Sequence, residues 1–299
     1  MKVIVLMSSY NGELYISEQI DSILNQIGEF ELELIVRDDG STDKTIGILK
    51  EYAGLNRLSW YSSGNVGPQN SFFDLLQNSG DADYYAFADQ DDVWNKNKIA
   101  RGIEMLEYSE NIPSVYFSNA EIVDGKLNST NKNVYTSCPA LDLCTLAISG
   151  GILGCTMIFN HKMMQLIRIN KETPRILMHD FYIALLCKAH NGNLIYDEKC
   201  NMKYRQHGSN VVGVNTKDNI FARLKKDISK KYVYSIADQA DYIIANYNLE
   251  NQSYDWLNKV SKYKNSFVNR LKLATSTKTK YGSVSSSIIN RLSLMMGNR

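Results

Sequence analysis

The 299-residue sequence has few cysteines and no paired pattern among them. Cys138, Cys144, Cys155, Cys187 and Cys200 are odd in number, and no two stand at C-x-x-C spacing. That speaks against a disulfide framework or a cysteine zinc site and fits a reducing compartment. Long apolar runs are also missing. The longest, residues 146–159, is broken by Gly150, Gly151 and Gly154 and falls short of the roughly 20 residues a spanning helix needs. The opening run, residues 1–7, is too short for a signal peptide. A cytosolic chain without a transmembrane segment is therefore expected. Repeats are absent, low complexity is confined to residues 283–287, and no nucleic-acid-binding module is recognisable.

What is present is an ordinary globular composition, 44% apolar and 22% charged, enough for one large domain or a domain with an appendage. The net charge of +1 hides an asymmetry. From Lys217 onward fifteen Lys/Arg stand against six Asp/Glu, a net +9, whereas residues 1–216 carry −8. The expected division is a main domain over 1–216 and a basic helical region over 217–299. An acidic part suits a metal; a basic part suits a membrane surface or an acidic partner.

The main part alternates strands and helices. Residues 3–7 are a continuous apolar run, the mark of a strand buried on both faces. Ile16, Ile20, Ile23 and Leu24 then recur at helical spacing. A second strand covers 32–36, with Ser41 or Thr42 as N-cap of a helix carrying Ile46 and Leu49. Further strands are expected at 58–61, 84–88, 115–117, 154–159 and 194–196, and a loop over 125–145. Strand–helix–strand alternation predicts an α/β fold with a mostly parallel sheet. In such a sheet ligands bind outside the carboxyl ends of the strands. Ser8 and Tyr10, Asp38 and Asp39, and Asp89 and Asp91 are therefore expected to converge.

The stretch Tyr84-Tyr85-Ala86-Phe87-Ala88-Asp89-Gln90-Asp91-Asp92 organises the chain. An apolar strand ends in three carboxylates, which repel one another and need a cation or strong donors if buried. A divalent ion shared with phosphate oxygens supplies that, and an exposed acidic turn capping the next helix is the alternative. Gly150-Gly151 suits either close backbone approach to a ligand or a tight turn. Asp180 opens a helix, where a carboxylate also favours the helix dipole. His207 follows Tyr204-Arg205-Gln206 in what reads as a loop.

Together these stretches resemble family 2 glycosyltransferases of the GT-A fold, over roughly residues 1–215. The resemblance rests on Ser8-Ser9-Tyr10-Asn11-Gly12, Arg37-Asp38-Asp39-Gly40-Ser41-Thr42-Asp43 and Asp89-Gln90-Asp91-Asp92. Residues 89–94, Met178-His179-Asp180 and Tyr204-Arg205-Gln206-His207-Gly208 resemble the bacterial rhamnosyltransferase branch more narrowly. The resemblance implies that Ser8, Tyr10 and Asp39, with Glu13 nearby, contact the nucleotide, and that Asp89 lies against the ribose. It implies that Asp91 and His207 bind a divalent metal, Mn2+ or Mg2+, and that Gly150 and Gly151 lie near the donor sugar. Asp180 matches the base. The family usually has an acidic residue before that base, where this chain has His179.

An inverting transferase needs these groups. A sugar hydroxyl must lose its proton as it attacks, and the leaving nucleoside diphosphate gathers negative charge. The expectation is a nucleotide-sugar donor, dTDP-rhamnose favoured, and a lipid-linked saccharide acceptor at the cytoplasmic membrane face. A UDP-hexose or UDP-N-acetylhexosamine donor is the enzymatic alternative; a catalytically silent nucleotide-sugar-binding protein is the other class. In the basic tail, Lys225, Lys226, Lys230 and Lys231 either pair with the acidic domain or face water. The competing expectation is peripheral membrane contact through Phe267, Leu271, Leu273, Ile288, Ile289 and Leu292.

Overall fold

The computed structural model describes residues 1–207, 233–281 and 284–298. In chain order the elements are β1 (Lys2–Ser9), α1 (Ile16–Leu24), β2 (Glu31–Asp38), α2 (Thr45–Gly54), β3 (Ser59–Ser62), α3 (Pro68–Asn78) and β4 (Tyr84–Asp89). There follow β5 (Val93–Trp94), α4 (Lys98–Leu106), β6 (Ser114–Val123), β7 (Ser129–Asn133), α5 (Leu143–Ser149), β8 (Met157–Asn160), α6 (His161–Ile167), α7 (His179–Ala189) and β9 (Asn193–Arg205). The C-terminal helices are α8 (Ile236–Asn246), α9 (Asn251–Ser261), α10 (Phe267–Ala274) and α11 (Val284–Met296). They form two compact units. The first holds Met1–Cys138, Leu153–Lys171 and residues 193–207; the second holds Pro139–Ile152, Glu172–Gly192 and the described residues from 233 on. The compositional boundary at 216/217 and Lys225, Lys226, Lys230 and Lys231 lie outside the described residues.

The whole sheet belongs to the first unit. Its order is β3-β2-β1-β4-β8-β6-β9-β5, with β7 added on β6. β1 pairs in parallel with β2 and β4, β2 with β3, and β6 with β9. Val3 to Met7 have no exposed surface, as expected of a strand covered on both faces. Ile16, Ile20 and Ile23 of α1, with Ile99, Ile103 and Leu106 of α4, join the same apolar core.

Several local expectations change. The predicted strand at 154–159 is a short 3-10 turn followed by β8, which runs antiparallel between β4 and β6. Ser41 and Thr42 do not cap α2; its N-cap position is Lys44, and the Ser41 hydroxyl turns to Asp38 instead. The loop expected over 125–145 contains β7, an exposed strand that among the described residues pairs with β6, and the start of α5. Its polar composition conceals it because neither face is buried. The short strand at 194–196 extends to Arg205. Register shifts against β6 around Asp197 absorb a polar stretch and let the ladder resume.

The second unit is helical among its described residues. Asp142 caps α5 by accepting the Thr145 N–H at 2.9 Å, and Ser235 forms a reciprocal capping box with Asp238 at the start of α8. The Tyr182 hydroxyl of α7 lies 2.5 Å from that of Tyr247, just past α8. Buried Ile183, Leu186, Ile243, Leu257 and Val260 supply apolar packing.

Candidate functional site

Parallel register brings three polar loops to one edge. Ser8 stands opposite Arg37 of β2 and Asp89 of β4, so the strands end together. The loop after β1 is stitched to the loop after β2. Asn11 N–H donates to Ser41 Oγ at 2.9 Å, Gly12 N–H to Thr45 Oγ1 at 2.8 Å, and Thr42 N–H to Asn11 Oδ1 at 2.8 Å. Glu13 accepts the Lys44 N–H at 2.9 Å while its own N–H donates to Asp43 at 3.0 Å. Gln90 clamps the same loop from β4: its Oε1 accepts the Tyr10 N–H and its Nε2 donates to the Tyr10 carbonyl, both at 2.9 Å. A Cβ on Gly12 would meet Gln90 Oε1 at 2.2 Å, so the clamp needs glycine there. The Tyr10 side chain is left exposed beside this edge.

The two adjacent aspartates after β2 differ. Asp38 is fully buried and accepts Ser41 and Ser62 hydroxyls and the Gly40 and Ser41 N–H groups, which fixes the turn. Asp39 pairs with Arg37 at 2.5 Å and accepts the Val66 and Gly67 N–H groups at 2.9 and 3.0 Å. It therefore holds the loop after β3 against this edge. Arg37 also reaches Asp74 at 2.9 Å and Ser71 at 3.2 Å, and Ser71 Oγ lies 2.5 Å from Ser8 Oγ.

The acidic turn after β4 is divided by direction. Asp91 Oδ2 lies 2.7 Å from His207 Nε2, both side chains being about one-sixth exposed. The two side chains are hydrogen-bonded to each other, and together they offer one oxygen and one nitrogen, a mixed set that a divalent ion could take in place of that bond. Asp92 points inward and is fully buried, its Oδ1 accepting the Arg205 N–H at 3.0 Å. Burial, with the like charges of Asp91 and Asp89, holds the Asp92 carboxyl well above the usual carboxylate range. Asp89, Asp92 and Cys155 could by spacing also ligate a metal. A buried cation already acts on that cluster. Lys98 donates to the Cys155 carbonyl, lies 3.8 Å above the Trp94 ring, and is lowered by burial to about 8 against the pull of Asp92 and Asp89. Part of the compensation expected from a metal is thus supplied to this cluster by the Arg205 N–H and by Lys98.

Arg205 was read from sequence only as part of a loop motif, and the structure gives it a central place. It is 1% exposed. Its guanidinium donates to the Asp91 carbonyl at 2.7 Å, the Gly125 carbonyl at 2.8 Å and the Glu18 carboxylate at 2.5 Å. It lies 4.4 Å from the Tyr15 ring centre, and that ring is 4.9 Å from His207. β9 therefore delivers His207 two residues beyond an anchor that grips the Asp91 backbone. Gln90 and Arg37 were likewise passed over; the only sequence signal was their place inside the acidic motifs.

The remaining candidates lie in the second unit. Asp180 sits in the first turn of α7, 7% exposed, and its Oδ1 accepts the Phe181 N–H at 2.8 Å. Burial lowers His179 to about 3, so its imidazole is neutral near pH 7. Gly150 ends α5 with φ +60°, and a Cβ there would meet the Phe181 ring at 2.5 Å. Gly151 follows with φ +123°. The Gly150-Gly151 turn and the start of α7 are thus packed together around Phe181.

The profile of Glycosyl transferase family 2 matches residues 4–168. The dTDP-rhamnosyl transferase RfbG of Shigella flexneri is 30% identical over 224 residues, 70% of this chain and 74% of the relative. Among solved structures, S. aureus TarS 1-349 in complex with UDP-GlcNAc is similar with TM-score 0.56 and 19% identity, over 93% of this chain and 77% of that one. The mannosyltransferase PcManGT from Pyrobaculum calidifontis, in complex with GDP-Man and Mn2+, has TM-score 0.54 and 14% identity, over 99% and 74%. These two likenesses concern the fold, which is the GT-A arrangement of a mixed sheet with flanking and C-terminal helices. Matched across more than half its length by that profile, with its acidic motifs gathered at the carboxyl edge of the sheet, the chain belongs to glycosyl transferase family 2.

Proposed function

We propose that this glycosyltransferase moves L-rhamnose from dTDP-rhamnose, with inversion, to a hydroxyl of a growing cell-surface polysaccharide. The observation that carries the reading is the Asp91–His207 pair, 2.7 Å apart at the carboxyl edge where the β1, β2 and β4 loops meet. Similarity to a dTDP-rhamnosyl transferase supports the choice of donor. In this reading Ser8, Tyr10, Glu13 and Asp39 form the nucleotide side of the site and Asp89 lies against the ribose.

Asp91 and His207 would hold a divalent ion, and the nitrogen ligand would favour Mn2+ over Mg2+, which prefers an all-oxygen shell. When bound, the ion supplies neutralisation of the charge that gathers on the leaving nucleoside diphosphate. Gly150 and Gly151 lie near the donor sugar in this reading; the Gly150 turn seats the Phe181 ring, and a Cβ at Gly151 would meet nothing within 4 Å. Asp180 accepts the proton of the attacking hydroxyl. His179, lowered to about 3 by burial, is too weak a base for that task near pH 7. One base and one displacement give inversion; retention needs a second, nucleophilic group.

The acceptor is a lipid-linked saccharide, and the enzyme works at the cytoplasmic face of the cell membrane through peripheral contact of its C-terminal region. Among the described residues no helix is long and apolar enough to cross a membrane. A panel of dTDP-, UDP- and GDP-sugars, assayed for hydrolysis with and without Mn2+, tests the donor. Turnover of dTDP-rhamnose above the others is expected. Preference for UDP-N-acetylglucosamine or a UDP-hexose overturns the rhamnosyl assignment, and no turnover of any sugar favours a silent binding protein.

A further inference from the structure

The last two described helices turn apolar side chains outward. Along α11 the exposed positions are Val284, Ile288, Leu292 and Met296, spaced by four residues so that they form one stripe. Its covered side carries Asn290 and Ser293 beside Ile289 and Leu294. In α10, Phe267, Val268 and Leu271 are exposed, with Lys272 beside them. Leu273 and Ile289, expected from sequence among the outward contacts, are buried instead.

The two helices are tied to each other. Arg291 of α11 donates to the carbonyls of Ala274 and, at 3.2 Å, Ser276, while its Nε reaches Ser287 Oγ at 3.1 Å. A Cβ on Gly297, just past α11, would lie 3.0 Å from the Arg270 guanidinium of α10. Arg291 thus meets the C-terminal end of α10 while Gly297 meets its middle, so the helices run antiparallel. The segment that carries both helices is basic: from Trp256 to the last residue there are nine Lys/Arg and no Asp or Glu, and Asp238 of α8 faces Lys264. Lys262, Lys264, Lys272, Lys278 and Lys280 are exposed.

We propose that α10 and α11 form a docking surface for an anionic lipid bilayer, with Phe267, Val268, Leu271, Val284, Ile288 and Leu292 entering the acyl boundary. The flanking lysines meet the head groups. A bilayer offers an apolar layer beneath a negative surface, the combination these residues match. A second copy of the chain fits less well, because a self-complementary contact would set this lysine-rich surface against itself. The surface deepens the proposed membrane contact and is independent of the donor and the base.

The test is sedimentation of the full chain with phosphatidylcholine vesicles and with vesicles that also contain phosphatidylglycerol. Binding is expected only with phosphatidylglycerol and should be released at 1 M salt, where screening shortens the field to about 3 Å. Leu271→Ser/Ile288→Ser/Leu292→Ser should lower the bound fraction by about tenfold or more, because burial of apolar area is removed. Lys262→Glu/Lys272→Glu leaves the apolar stripes intact and should abolish the lipid preference. These positions are exposed, and circular dichroism checks that both variants fold. Donor hydrolysis, measured alongside without acceptor, reports the transferase reading separately and should be unchanged in both variants. Equal binding to neutral vesicles overturns the proposal, as does no binding to either. Lipid-free self-association that the triple serine variant abolishes overturns it in favour of a second copy.

Discussion

Asp180 and His179 are adjacent in the chain and opposite in chemistry. The carboxylate is poised in the first turn of α7, and the imidazole is kept neutral by burial. Asp180→Asn keeps shape and removes basicity, so turnover should fall by roughly 10²-fold or more, the scale of general-base catalysis. Donor affinity should hardly change; calorimetry and initial rates separate the two, and near-normal turnover would move the base elsewhere. Arg205 acts through other residues, so its test differs. Arg205→Lys loses the planar fork that reaches Asp91, Gly125 and Glu18 together. The Mn2+ concentration for half-activation should rise by about 10-fold or more, as for other groups that orient a metal ligand. The rate at saturating Mn2+ should fall less. A drop in thermal stability with an unchanged Mn2+ response would make Arg205 a structural residue only.

At the scale of elements, one strand and one turn place candidate site residues. β9 carries Arg205 and His207 to the acidic turn because its ladder with β6 recovers register after Asp197. The turn at Gly150 sets the end of α5 against Phe181 at the start of α7. Gly150 has φ +60° and ψ −133°, a conformation that L side chains avoid, at a cost of about 1–3 kcal/mol. Gly150→Ala should therefore lower the melting temperature and also impair turnover, since the ring it displaces adjoins Asp180. Gly151→Ala shares the positive φ, +123°, but its Cβ meets nothing within 4 Å. It should be the milder variant in both assays. Equal losses would mean that backbone strain, not the Phe181 contact, dominates.

For the whole molecule, buried His179 makes stability depend on pH. Its folded value, about 3, lies below the ordinary 6.5. Above pH 6.5 neither state holds the proton, and the contribution is fully present. As pH falls from there toward 3 the unfolded chain gains a proton that the folded chain refuses. Stability then drops by roughly 1.4 kcal/mol per unit. Urea unfolding of the wild type and His179→Gln between pH 7 and 5 should show a shallower decline in the variant. Parallel declines would exclude His179 as the source.

The alternation of apolar runs with polar loops was enough to place β1 to β4 and their helices, because each βα step is local and parallel pairing aligns the strand ends. The convergence of Ser8, Asp38 and Asp89 follows from that topology alone. Which carboxylate faces in and which faces out did not follow. Asp91 and Asp92 are chemically identical neighbours, and only the packing of Lys98, Cys155 and Arg205 separates them. The partners of Arg205 come from residues 18, 91 and 125, contacts closed across as many as 187 positions of chain. No local pattern records such closure. The same holds for α10 and α11: helical spacing marks out two faces on each, but neighbouring helices decide which one is covered. Here they cover Asn290 and Ser293 and leave Ile288 and Leu292 to the outside.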